Sequence, residues 1–170
     1  MEYMIFLRLI HIVCGVFWAG ATLYLAGFII PAVKALGPDG GKFMGQLSRT
    51  NRLPLVMNAA GTLTVLCGLL MFEQVSGTFQ PEWFLTNHGM LLTIGGILGL
   101  LGYAIGLGVS FPTILRMNAI GKVVSASGGP PSPEQMQELQ RLRKKLFTAT
   151  NIIAILLLTS VSFMSIIRYL

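Results

Sequence analysis

Groups able to do chemistry are scarce in this 170-residue chain, of which 11% is charged and only two residues are histidine, His11 and His88. His11 sits roughly two turns into the first long apolar run, and His88 opens the third. An ionisable side chain inside hydrocarbon is expensive, so it signals either a function or a neighbour that satisfies it. Two imidazoles on facing helices can ligate haem iron axially, and bundle interiors hold such cofactors. Arg8, one turn from His11, would then pair with a haem propionate, Arg168 could reach the same layer, and Trp18 could pack on the ring. The competing reading is structural. His11 would hydrogen-bond a neighbouring helix, and His88 would be a helix-start residue capped by Thr86 or Asn87.

Two further patterns bear on this site. Arg8, His11, Gly15, Trp18 and Thr22 recur by three- and four-residue steps and share one stripe, as do His88, Gly95, Gly99, Gly102 and Gly106. Glycines on such a stripe either let helices pack closely or leave room for a flat macrocycle. Cys14 lies three residues from His11, and Cys67 occupies a similar depth in the second run. With Met4, Met71, Met90 and Met164 they offer thiol, thioether and imidazole, which suit Cu(I). There is no Met-x-x-Met or Cys-x-x-Cys spacing, so these residues also read as ordinary apolar filling, and no feature supports a Cys14–Cys67 disulfide. Other chemistry lacks its residues. The glycines form no phosphate-binding loop, no carboxylate lies at mid-membrane depth, and Asp39, the only aspartate, belongs to a turn.

The elements that must position these residues are membrane helices. The chain is 54% hydrophobic, whereas a soluble domain carries about a quarter charged residues. Four apolar runs, about 4–30, 54–75, 88–111 and 146–167, are long enough to cross a bilayer as helix, which takes roughly 20 residues. Pro31 and Pro112 are expected to close the first and third. Ala19-Gly20-Ala21 resembles a cleavage site, but Glu2 and the length of the run favour a retained span. The fold expected is all-α, a single integral-membrane four-helix bundle.

Loop charge sets the orientation. The loops 31–53 and 112–145 carry ten of the twelve basic residues, which places them in the cytoplasm and both termini outside, in an inner membrane. Topology therefore accounts for the net charge of +6, with no nucleic-acid partner. The partners expected are lipid and either a membrane protein or a second copy. Ser132, Pro133 and Gln135 form a capping-box pattern, so the fourth span should begin as a cytoplasmic helix that continues inward. Phe43, Met44 and Leu47 should lie along the headgroups. Asn58, Thr62, Thr64, Asn151 and Thr159 should mostly bond between helices.

The stretch Leu9-Ile10-His11-Ile12-Val13, followed by Gly15-Val16-Phe17-Trp18-Ala19-Gly20, resembles the first helix of the copper-resistance D (CopD) type of membrane protein. It is also similar to the related HemJ-type protoporphyrinogen oxidases and to uncharacterised four-span relatives. Leu36-Gly37-Pro38-Asp39-Gly40-Gly41 and the segment from Arg49 to Pro54 look most like that last branch. The HemJ resemblance implies haem b on His11 and a lysine in a later span, but no lysine lies in any span here. The copper-resistance resemblance implies copper passage, although the larger architecture and external metal-binding domain are lacking. The leading expectation is a haem b redox protein or small electron-transfer subunit, with His11 and His88 on the iron and Arg8, Trp18, Gly15, Gly95 and Gly99 around it. The alternatives are copper handling through Cys14, Cys67, Met71 and Met90, or a non-catalytic assembly subunit.

Overall fold

In the computed structural model, residues 2–49 and 52–167 are described. They form α1 (Glu2–Ala35), α2 (Pro38–Arg49), α3 (Leu53–Val75), α4 (Pro81–Phe84), α5 (Asn87–Ser127) and α6 (Pro133–Ile166). Four of these, α1, α3, α5 and α6, are long and apolar enough to cross a membrane. Their outward faces carry large apolar side chains such as Val16, Phe28, Leu66 and Ile155, a surface suited to lipid.

The helices do not stop at the two prolines. At each, the chain widens into a π turn, Leu25–Ile29 in α1 and Gly106–Ser110 in α5, and then resumes as α-helix. The Ile30 N–H bonds to the Leu25 carbonyl and the Phe111 N–H to that of Gly106, each spanning five residues rather than four. A proline in a helix lacks a donor and presses on the carbonyl four residues back. Here that position is Gly27 or Gly108, inside the widened turn, which gives the ring room. As a result much of the expected loops is helix, α5 running on to Ser127.

The four long helices pack in a ring. α1 lies on α3 and α5 on α6 as the most extensive pairs, and α1–α6 and α3–α5 contacts close the circle, leaving α1 and α5 at opposite corners. Glycine sets the close approaches. A Cβ at Gly95 would stand 3.1 Å from Met164 Cγ and 3.3 Å from the Ser160 carbonyl oxygen, and Gly99 and Gly102 also face α6, so this part of the stripe on α5 is a packing surface for it. The buried Ser160 hydroxyl donates to the Gly95 carbonyl at 2.7 Å in the same seam. At mid-bundle Trp18, Ala60, Ile153 and Leu157 form the core, with Tyr103 packed against it. Trp18 and Tyr103 meet edge to face at 6.2 Å on either side of Gly61. These side chains form a plug across the bundle.

The polar residues of the spans mostly satisfy their own helices rather than their neighbours. Asn58 donates to the Pro54 carbonyl, Thr64 to that of Ala60 and Thr159 to that of Ile155, because a short side chain reaches the carbonyl four residues back. Asn151 is exposed. Thr62 is the member of the set that also links two helices. Its hydroxyl donates to the Asn58 carbonyl, so the Tyr103 hydroxyl donates to it, at 2.7 Å.

On the side carrying the basic loops, α6 opens with the predicted capping box. Ser132 Oγ accepts from the Gln135 N–H, and Gln135 Oε1 accepts from that of Ser132. Gly37, at a φ of +58°, turns the chain after α1, and Gly40 lies over the Val33 backbone where a side chain would not fit. This folds α2 back onto the bundle, so Met44 and Leu47 face inward while Phe43 stays exposed. The exposed Lys42 ammonium bonds Asp39 at 2.8 Å and holds its carboxyl below the usual range. At the opposite, terminal side, Phe72, Phe79, Trp83 and Phe84 pack together where an aromatic belt would lie.

Candidate functional site

His11 turns toward α3, where its Nδ1 lies 2.7 Å from the Thr64 carbonyl oxygen. A carbonyl only accepts, so Nδ1 carries the hydrogen of this bond. The ring occupies the space over Gly68, where a Cβ would stand 2.9 Å from His11 Cε1. This is the structural role weighed against ligation, an imidazole bonded to the next helix. His88 is exposed in the first turn of α5, behind Thr86, whose hydroxyl accepts from the Gly89 N–H at 3.0 Å. With their helices at opposite corners, the two histidines are not joined through a common packed seam.

The other residues predicted around them also have occupants. Gly15 faces the Thr64 methyl at 3.3 Å, Gly99 faces Ser160 Oγ at 3.4 Å, and Trp18 packs on Gly61. The residues around His11 therefore do not fit a macrocycle enclosed between the first and third spans. Arg8 is exposed on α1, and Arg168 and the residues 50–51 lie outside those described. Cys14 and Cys67 are free thiols, Cys67 buried, while Met71 is half-buried and Met90 is 49% exposed. Among the described residues, no three His, Cys, Asp or Glu side chains gather as a metal-holding group.

A second candidate lies elsewhere. Between the plug and the basic loops, residues of all four long helices line a partly open cavity of about 250 Å³. Trp18 and Tyr103 form its closed end, about 10 Å along α1 from His11 at 1.5 Å per residue. Its walls are mainly apolar, among them Leu25, Met57, Ile153 and Phe147. Both π turns contribute, through Leu25 from the first and Gly106 and Ser110 from the second. The Ser110 hydroxyl oxygen is buried and has no protein partner. A buried hydroxyl without a partner costs stability and is rare in native structures.

The mouth of the cavity is polar and cationic. Ser48 of α2 and Asn118 of α5 bond each other there, with Asn118 Nδ2 3.1 Å from Ser48 Oγ, and Asn58 lies nearby. Arg49 and Arg143 flank this pair. Glycine makes room for both guanidinium groups. Arg143 lies over Gly41, and a Cβ at Gly121 would come within 2.7 Å of Arg49 Nη2. Lys34 is placed differently, over the Phe147 ring at 5.5 Å.

No single stretch of the sequence marks this site, because its walls come from every long helix. One signal was present: Gly27 to Pro31 and Gly108 to Pro112 repeat the same glycine–proline spacing in corresponding halves of the chain. In membrane proteins built from two similar halves, paired glycine–proline interruptions point to a binding site. No family model, no curated protein and no solved structure matches the chain.

Proposed function

We propose that this multi-pass protein lies in the cytoplasmic membrane, its basic loops inside the cell, and binds one small apolar-bodied molecule in the cavity beneath them. The observation that carries this reading is a mostly apolar chamber walled by two matching π turns, closed at one end and polar at the other. Ligand sites are concave, mainly apolar, and oriented by a few polar groups, with volumes of about 300–1,000 Å³ for drug-sized ligands. At about 250 Å³ the chamber suits a single chain or a small ring system. The positive-inside rule supplies the orientation. The role that follows is binding or delivery of a membrane-soluble molecule.

Trp18 is a built-in reporter, since it lines the cavity and is 8% exposed, out of reach of collisions in the lipid. Trp83→Phe removes the other tryptophan. In vesicles of neutral phosphatidylcholine, brominated dodecanol and brominated dodecyl phosphate should be offered separately. At least one should quench Trp18 fluorescence to saturation with one site per chain. Linear, non-saturating quenching by both would overturn the reading.

A further inference from the structure

The side of the bundle that bears the loops holds three acidic residues, Asp39, Glu134 and Glu138, and each is engaged away from the cavity mouth. Asp39 takes Lys42 at 2.8 Å. Glu138 takes Arg116 at 2.8 Å and lies 3.8 Å from Arg141. Glu134 accepts from the Ser132 hydroxyl, which holds its carboxyl below the ordinary range. The remaining acids, Glu2, Glu73 and Glu82, belong to the terminal side. Among the described residues, Arg49 and Arg143 thus have no carboxylate within 4 Å, although both line one mouth and both are seated over glycine.

Both guanidinium groups line one mouth, Arg49 exposed and Arg143 half-buried, and neither can shed its proton, so the mouth carries two positive charges without a protein counter-charge. An anion at the mouth supplies that counter-charge, and the planar fork of arginine suits phosphate and carboxylate oxygens. The adjoining Ser48 and Asn118 add short-range donors at the same level. Below this layer the lining turns apolar and then ends at Trp18 and Tyr103. A free inorganic anion would satisfy the mouth and leave the chamber dry. A neutral chain would fill the chamber and leave the mouth uncompensated. We propose that the ligand is a single-chain amphiphile with an anionic head, the head held by Arg49 and Arg143 and the chain laid toward the plug. This rests on the cavity reading above and names the class of molecule the cavity takes.

The full-length Trp83→Phe protein in neutral vesicles again supplies the measurement, with Trp18 quenching as its readout. Brominated dodecyl phosphate should bind roughly tenfold or more tightly than brominated dodecanol, the gain expected of charge-assisted contacts. Inorganic phosphate alone should not displace either. Arg49→Gln with Arg143→Gln should bring the phosphate probe down to the alcohol's affinity, and Arg49→Lys with Arg143→Lys should restore part of the difference. Arg141→Gln with Lys144→Gln, in the basic groove outside α5 and α6, should change little, which separates the mouth from the general attraction of a basic surface. Equal affinity for the two probes would overturn the proposal while the cavity reading stood, and so would a glutamine pair that binds phosphate as well as the parent. Displacement by inorganic phosphate would reassign the mouth to the free anion. Saturable quenching by the alcohol in the glutamine pair verifies that its cavity is intact; if that quenching is lost, the lysine pair decides, and failure of the lysine pair to favour the phosphate probe overturns the proposal.

Discussion

Gly106→Phe is expected to leave the bundle folded and to weaken binding of the dodecyl probes by roughly tenfold or more. Gly106 lines the cavity, its φ of −56° suits any L residue, and a Cβ built there meets nothing within 4 Å. The added Cβ therefore meets no neighbouring helix, and the ring extends from it at the cavity wall. In a chamber of about 250 Å³ it competes directly with the ligand. If it excludes five ligand carbons, each worth about 0.3 kcal/mol, the loss is about 1.5 kcal/mol, or roughly tenfold in affinity. Trp18 quenching gives the affinity, and a thermal melt of the same sample reports the fold. A variant that melts like the parent and binds as tightly would place the ligand outside this cavity.

The second large effect concerns the plug. Gly61→Leu should destabilise the protein by about 1–3 kcal/mol, the usual cost of forcing extra methylenes into a filled core. Its Cβ would stand 3.2 Å from Trp18 Cε2 and 3.3 Å from Tyr103 Cδ2, pressed by a ring on each side. Tyr103 cannot swing away freely, because its hydroxyl is bonded to Thr62 across the helix pair. Gly20→Ala is the matched comparison. No atom lies within 4 Å of that Cβ, so removing a helical glycine should be neutral or stabilise by about 0.5–1 kcal/mol. Reversible unfolding in mixed detergent, followed by circular dichroism, measures both. Equal midpoints for the two variants would show that the rings do not pack as a plug.

What could be read in the sequence follows from how local each signal is. The four long helices, the capping box at Ser132 and the Thr86 start ahead of His88 depend on neighbours a few residues apart, and all are present. The prolines misled for an instructive reason. Pro31 and Pro112 end an ordinary helix, yet a π turn containing Gly27 or Gly108 accommodates each ring, and nothing in hydrophobic periodicity reports the wider turn. The glycines of α5 pointed equally to packing and to a cofactor until Met164 and Ser160 were seen against Gly95. The cavity was the least legible feature. Arg49 and Arg143 stand 94 positions apart, and only the return of α2 onto the bundle brings them to one opening.

The plug has a kinetic consequence. With Trp18 and Tyr103 packed in the core beyond the chamber, the cavity has no passage through the plug. An incoming molecule cannot push out the resident one from behind, so departure must come before loading. Exchange measured by stopped flow should therefore proceed at a rate that stays constant as competitor concentration rises. A through-passage would instead let the newcomer hasten the exit.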